Sequence, residues 1–179
     1  MATSVGVLEL RKRTTDYILL KPGELVGDPI LGNALVYSIA IDANQNYWFA
    51  TPYNGLLRYD PRTRVVQQYL YFGKGSGKKK IEHLDIVTSS DAGDVAVGHH
   101  RGFAIKFKDE KEFIHIDQLF SQYFDFSKLS VYDMEYSGGY LWVASEGDGL
   151  LCFDFKNKKL KVFTVSDGLI SNSITSLHA

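Results

Sequence analysis

Two stretches of this chain repeat one pattern: VYSIAIDANQNYWFATPYNGLLRYDPRTRVVQQY at 36–69 and VYDMEYSGGYLWVASEGDGLLCFDFKNKKLKVF at 131–163. A weaker third copy, IEHLDIVTSSDAGDVAVGHHRGFAIKF at 81–107, lies between them. The three are in step, because Trp48, Val95 and Trp142 are 47 residues apart, as are Gly55, Gly102 and Gly149. A fixed period of this size marks an array of similar supersecondary units, and strands punctuated by turns make those units propeller blades. The expected fold class is therefore all-β, built of four-stranded antiparallel β-propeller blades, about three of them full and two partial.

Within one repeat, VYSIAID (36–42) reads as the inner strand, with Tyr37, Ile39 and Ile41 on one face. ANQN is a turn, and YWFAT (47–51), apolar at nearly every position, is the buried second strand that LWVAS (141–145) repeats. Gly55 and Gly149 open third strands, GLLRYD and GLLCFD, where a missing side chain permits close backbone approach. The fourth strand is polar, as befits a sheet's outer edge. Full blades are expected at 36–70, 81–117 and 131–164, the end of an earlier blade at 5–20 and the start of a later one at 167–179. In the middle blade Val95 takes the tryptophan position, and 114–130 lengthens the connection with a loop or one short helix. The pattern begins and ends in mid-repeat, so 1–179 reads as a partial propeller.

Composition narrows the function classes. A formal net charge of −1 implies no polyanion partner and hence no nucleic-acid contact, and one cysteine, Cys152, excludes an internal disulfide framework. No basic-then-apolar leader opens the chain, and no run approaches the roughly 18 apolar residues of a membrane span. GKGSGKKK (73–80) lacks the spacing of a phosphate loop, since Phe72 stands where its first glycine belongs, and reads as a flexible basic linker.

The loops between second and third strands share a face with the blade-to-blade linkers. They read Pro52-Tyr53-Asn54, His99-His100-Arg101 and Glu146-Gly147-Asp148, differing while the flanking strands repeat. Tyr53, Asn54, His99, His100, Arg101, Glu146 and Asp148 are thus the candidate ligand-binding residues. Aromatic, guanidinium, imidazole and carboxylate groups together suit an anionic or hydroxyl-rich sugar. His99 and His100, adjacent on a strand, point to opposite faces, and no carboxylate completes a metal site, so no metal or cofactor is expected. His83, His115 and His178 are scattered and read as structural. Trp48 and Trp142 read as core, Asp60 and Asp154 as turn formers, and Cys152 as an inert mid-strand thiol. No Ser-His-Asp, Cys-His or paired-carboxylate constellation recurs, so this segment is not expected to be an enzyme.

These residues resemble the two-component regulator propeller repeat. The matches are Gly168, Leu169, Ser171, Asn172, Ser173 and Ile174; Asp42, Trp48 and Thr51; Trp142 and Ser145; Gly55, Leu56, Tyr59 and Asp60; and Gly149, Leu150, Phe153 and Asp154. The resemblance covers nearly the whole chain, with Val95 a departure and fewer blades than the family's closed rings. It implies a ligand-sensing segment of a hybrid two-component sensor, located in the periplasm and recognising a carbohydrate or its breakdown product. The expected partners are an oligosaccharide ligand, the remaining blades and signalling modules of a parent protein, and a second copy in a homodimer. The parent would be a sensor histidine kinase. The alternatives are a peptide- or protein-binding propeller scaffold or, less favoured, a propeller lyase or lactonase.

Overall fold

The computed structural model describes residues 2–3, 6–10, 17–20, 35–80, 83–99 and 102–178. Strands β1 (Ala2–Thr3), β2 (Gly6–Leu10) and β3 (Tyr17–Leu20) form a three-stranded antiparallel sheet. Three four-stranded antiparallel meanders follow. The first comprises β4 (Ser38–Ile41), β5 (Tyr47–Thr51), β6 (Gly55–Asp60) and β7 (Val65–Tyr69). After the ribbon of β8 (Tyr71–Phe72) and β9 (Lys79–Lys80), the second comprises β10 (Leu84–Ser89), β11 (Val95–His99), β12 (Gly102–Lys106) and β13 (Ile114–His115). The third comprises β14 (Val131–Ser137), β15 (Tyr140–Ser145), β16 (Leu150–Asp154) and β17 (Lys159–Phe163). The inner strands β4, β10 and β14 pack on one another in that order, as propeller blades do around an axis.

The second strand of the middle blade is buried on both faces because each face meets a different sheet. Trp48, Ala50 and Leu56 of the first blade interlock with Val87, Val95, Val97 and Ala104 of the second. Ala96 and Phe103, on the second blade's other face, interlock with Met134, Leu141, Val143, Leu151 and Phe153 of the third. Inner strands are also tied by hydrogen bonds: the Val87 amide donates to Ser38 Oγ (3.1 Å), and that hydroxyl donates back to the Val87 carbonyl (3.3 Å). The Leu177 amide donates in the same manner to Asp133 Oδ2 (2.8 Å). Residues 173–177 thereby lie along the third blade's inner edge, where the Ile174 amide also donates to the Ser145 carbonyl.

The structure corrects the reading of Val95. In the first and third blades, Thr51 pairs with Gly55 across a three-residue loop and Ala144 pairs with Leu150 in the equivalent register. In the second blade, His99 pairs directly with Gly102, so the loop is one residue shorter. A one-residue change in strand register reverses which face every side chain occupies. Consequently Ala96, opposite Ile105, holds the place that Trp48 holds opposite Arg58. Val95 points the other way and packs into the cluster that contains Trp48. The identity of position 48 also explains its turn: Asp42 accepts hydrogen bonds from the amides of Asn44 and Asn46, the Asn46 side chain and Trp48 Nε1 (2.9 Å). Burial opposes the Asp42 charge, but these donors outweigh it and hold its carboxyl below the usual range.

The equivalent tryptophan of the third blade is not core. Trp142 is half-buried, stacked on Phe163 (6.0 Å between centroids) on the face turned away from the second blade, beside the half-buried Cys152. The basic stretch 73–80 also departs from a flexible linker. The Gly73 amide donates to the Phe113 carbonyl (2.9 Å), Lys79–Lys80 pairs with Tyr71–Phe72, and Lys74 and Lys78 form ion pairs with Glu110 and Glu112.

Gly98 lies where its partner strand β10 and the third blade both come close. A Cβ there would lie 2.5 Å from Ile86 Cγ2, 3.0 Å from Val131 Cγ1 and 3.2 Å from Met134 Cε. Gly98→Ala is expected to cost about 1–3 kcal/mol by overpacking, read as a lower urea midpoint. An unchanged midpoint would mean that Ile86, Val131 and Met134 do not close over Gly98 as described.

Candidate functional site

The loops between second and third strands are held by one device in two blades. Thr51 Oγ1 donates to the Gly55 carbonyl (2.7 Å) and accepts from the Asn54 amide (3.0 Å). Ser145 Oγ donates to the Gly149 carbonyl (2.7 Å) and accepts from the Asp148 amide (3.2 Å). Both hydroxyls are buried, and each fixes the loop between its second and third strands. At the matching place in the second blade stands His99, 8% exposed, whose longer side chain reaches the space between the loops and the linkers instead.

That space is a cleft of about 1030 Å³. Its floor is apolar, from Phe103, Ile116, Phe124 and Phe126, and its polar groups are Lys79, Lys80, His83, His99, His115, Asp117, Ser121, Asp125 and Ser127. The excursion between the second and third blades builds one wall: a short helix, α1 (Asp117–Phe120), and a 3₁₀ turn at Phe126–Lys128. Phe120 and Phe126 pin this wall by packing on Phe153 (5.3 and 6.2 Å between centroids). Asp125 caps the turn by accepting from the Ser127 amide (3.0 Å). Lys79, Lys80 and His83 also line the cleft.

Of the residues singled out in the sequence, His99 lines the cleft and Tyr53 is adjacent to it. Tyr53 is 68% exposed and packs edge-on against the His83 ring (5.5 Å), while the His83 amide donates to the Pro52 carbonyl (2.7 Å). Asn54 is tied down, its carbonyl accepting from Gln68 Nε2 (3.0 Å). Asp148 lies near enough to Asp125 that burial first, and that neighbouring charge second, push its carboxyl up. Glu146 is exposed, bridged to Ser173 and hydrogen-bonded to the Tyr132 hydroxyl, whose pKa it raises. His100 and Arg101 lie outside the described residues.

His83 and His115, which the sequence leaves scattered, join His99 here. The His99 and His115 rings meet edge-on at 6.0 Å. The second and fourth strands of the second blade supply His99 and His115, and the segment before β10 supplies His83, so no local spacing announces them. Among the described residues no cluster of His, Cys, Asp or Glu is placed to hold a metal ion. Asp60 and Asp154 act as turn formers, accepting from the amides of Arg62 and Asn157 (2.9 Å each).

Burial pushes the His115 imidazole below its ordinary value of 6.5; Lys79 adds to this, while Asp117 and the Phe72 carbonyl oppose it. As pH falls through 6.5 the unfolded chain therefore takes up this proton before the folded chain does. Stability contributed by neutral His115 is present above 6.5 and is lost from there down to the folded-state value. Between about pH 7.5 and about pH 5.5, the melting temperature of the native chain is expected to fall more than that of His115→Gln. Equal slopes would show that His115 is not held neutral by burial.

A smaller pocket, about 200 Å³, lies between the first and second blades beside Asp42, Trp48, Arg58 and Lys106. Arg58 lies over the Trp48 ring (5.8 Å) and donates to Gln67 Oε1 (2.9 Å), so its groups are engaged in packing the interface.

No known protein family and no curated protein matches the sequence. Among solved structures, the chain is similar to the extracellular domain of BT4673 from B. thetaiotaomicron, assigned to a hybrid two component system. The likeness has 18% identity and a TM-score of 0.64, over 90% of this chain and 20% of that one. It is similar to the extracellular domain of BT3049 from the same organism, with the same assignment, at 20% identity and a TM-score of 0.65, over 91% of this chain and 22% of that one. A third likeness is to YCF48 bound to D1 peptide, at 13% identity and a TM-score of 0.59, over 96% of this chain and 51% of that one. The chain spans about a fifth of the length of the two extracellular domains. What is shared at these identities is the fold, a β-propeller of four-stranded blades.

Proposed function

We propose that this chain is a ligand-sensing segment of the extracellular propeller of a hybrid two-component sensor, and that it recognises a carbohydrate or a breakdown product of one. The observation that carries the reading is the cleft, which unites imidazoles, hydroxyls, both signs of charge and an aromatic floor in a volume suited to a small oligosaccharide. The shared fold with two extracellular domains assigned to such systems supports it. Among the described residues no helix is long and apolar enough to cross a membrane, in keeping with a periplasmic segment. Binding would bias the arrangement of a homodimer of the parent protein and pass to a kinase module there. On this reading the segment binds and does not catalyse.

The test is isothermal titration of the chain with neutral and uronate-containing di- to tetrasaccharides. Saturable heat with at least one sugar, lost when the cleft is altered by His99→Ala, supports the reading. A second reading has its own observation, since one structure of the same fold is bound to a peptide. Saturable binding of extended peptides in that cleft, with no response to any sugar, would replace the sensor reading by that of a peptide-binding scaffold.

A further inference from the structure

What the cleft can hold depends on which of its apolar groups a ligand can touch. Phe103, Ile116 and Phe126 line it, but they are 0%, 1% and 4% exposed, so their surface is already spent within the protein. Phe124 lines the same cleft and is only half-buried. Among the apolar lining residues, it is therefore the ring on which a ligand can remove surface from water. The ring is also held ready. It packs on Phe126 (5.0 Å between centroids), which in turn leans on Phe153 (6.2 Å) in the core between the second and third blades. On either side the chain is tied down: the Tyr123 amide donates to the Phe120 carbonyl (2.9 Å), and the Asp125 carboxylate accepts from the Ser127 amide (3.0 Å). A ring fixed before the ligand arrives loses little freedom on binding.

Resting on the carbohydrate reading above, we propose that Phe124 is the platform on which one pyranose ring of a neutral oligosaccharide stacks, and that it selects sugars with equatorial hydroxyls, such as the units of β-glucans and xylans. Equatorial hydroxyls point outward and leave axial C–H bonds above and below the ring. Such a sugar is apolar on its faces and polar around its edge, and its C–H face suits the electron-rich face of a phenyl ring. The edge finds partners in the cleft lining, where Asp117 and Asp125 offer carboxylates and Ser121 and Ser127 offer hydroxyls. A furanose carries hydroxyls splayed to both faces of a puckered ring. Stacked on Phe124, it would strip water from a hydroxyl and give it no partner. Neutrality follows from the charges: Lys79 and Lys80 are offset by Asp117 and Asp125, so an anionic sugar gains no net attraction.

The experiment is ¹H NMR and titration calorimetry of the full chain with di- to tetrasaccharides cut from β-glucans and xylans. Fructo-oligosaccharides serve as furanose controls and uronate-containing oligosaccharides as charged ones. Protons held over a phenyl ring are shielded, so the C–H protons of one pyranose unit are expected to move upfield on binding. Phe124→Leu keeps apolar bulk and loses the flat face; it should bind about tenfold more weakly and abolish the upfield shift. Phe124→Tyr keeps the face and should retain both. The furanose and uronate controls should bind at least about tenfold more weakly than the neutral pyranosides. A bound sugar with no shielded protons overturns the proposal, as does Phe124→Leu binding like the native chain, Phe124→Tyr losing the sugar, or a preference for either control. Each of those results leaves the carbohydrate reading intact, because a sugar still binds the native chain. If no sugar binds, the carbohydrate reading fails and this inference fails with it.

Discussion

Trp48→Ala is expected to lower the unfolding free energy by about 3–5 kcal/mol, whereas Trp142→Ala, at the same place in the repeat, is expected to cost roughly 1–2 kcal/mol. Trp48 is 2% exposed between two blades and packs edge-on against Phe113 (6.0 Å). Its removal leaves a cavity walled by strands that cannot collapse without breaking their pairing. The indole also donates to the buried Asp42 carboxylate, and losing that donor adds to the cost. Trp142 has one sheet behind it and solvent in front. Against a typical domain stability of about 5–15 kcal/mol, the first change removes a large share and should lower the melting temperature by on the order of 10 °C. Trp48→Phe separates the two contributions, since it keeps most of the volume and loses the hydrogen bond. Thermal denaturation of the three variants decides the matter: equal losses at positions 48 and 142 would contradict the unequal burial of the two indoles.

The second large effect concerns the backbone. Gly149 has φ +84, and a Cβ there would lie 2.0 Å from the Phe163 carbonyl oxygen at the end of β17. The clash is with main chain that pairs with Leu150, so relief requires β16 and β17 to separate locally. Gly149→Ala is therefore expected to cost roughly 3 kcal/mol or more, combining a disfavoured backbone conformation with the clash. Gly147, two residues away, has φ +93 but nothing within 4 Å of its would-be Cβ. Gly147→Ala should register the conformational cost alone, about 1–2 kcal/mol. The comparison is made by urea denaturation, and similar midpoints for the two variants would show that the fourth strand does not close over the glycine.

The blade architecture was legible in the sequence because packing imposes it at every repeat. Period, apolar second strands and the glycines before third strands all report on contacts that recur. Burial of Trp142 was not legible, because the same residue at the same repeat position is covered only where a neighbouring sheet stands against it. Register in the second blade left a faint signal: where the other blades have Thr51 and Ser145 to brace the loop, the period places Gly98. The spacing between glycines stayed constant while the loop shortened, which hid the reversal of Val95 and Ala96. Of the site, His99 and Tyr53 could be found from loop variation. His83 and His115 could not, since one precedes β10 and the other ends the short strand β13, and their approach to His99 depends on how these segments fold back over the blade.

The shortened loop of the second blade has a consequence for how such an array can change over generations. A crossover between the second repeat and either of the others inside a second strand would join a half that faces one way to a half that faces the other, turning apolar side chains out of the interface. A crossover in the connections at 70–83 or 116–130 would exchange whole sheets with their own facing intact. Those are also the segments that wall the cleft, at Lys79, His83, Asp117 and Asp125. Genetic exchange that preserves the fold is thus channelled to the places where it reshapes the cleft. Repeats of this kind can vary the lining of the cleft while the arrangement of their sheets is inherited unchanged.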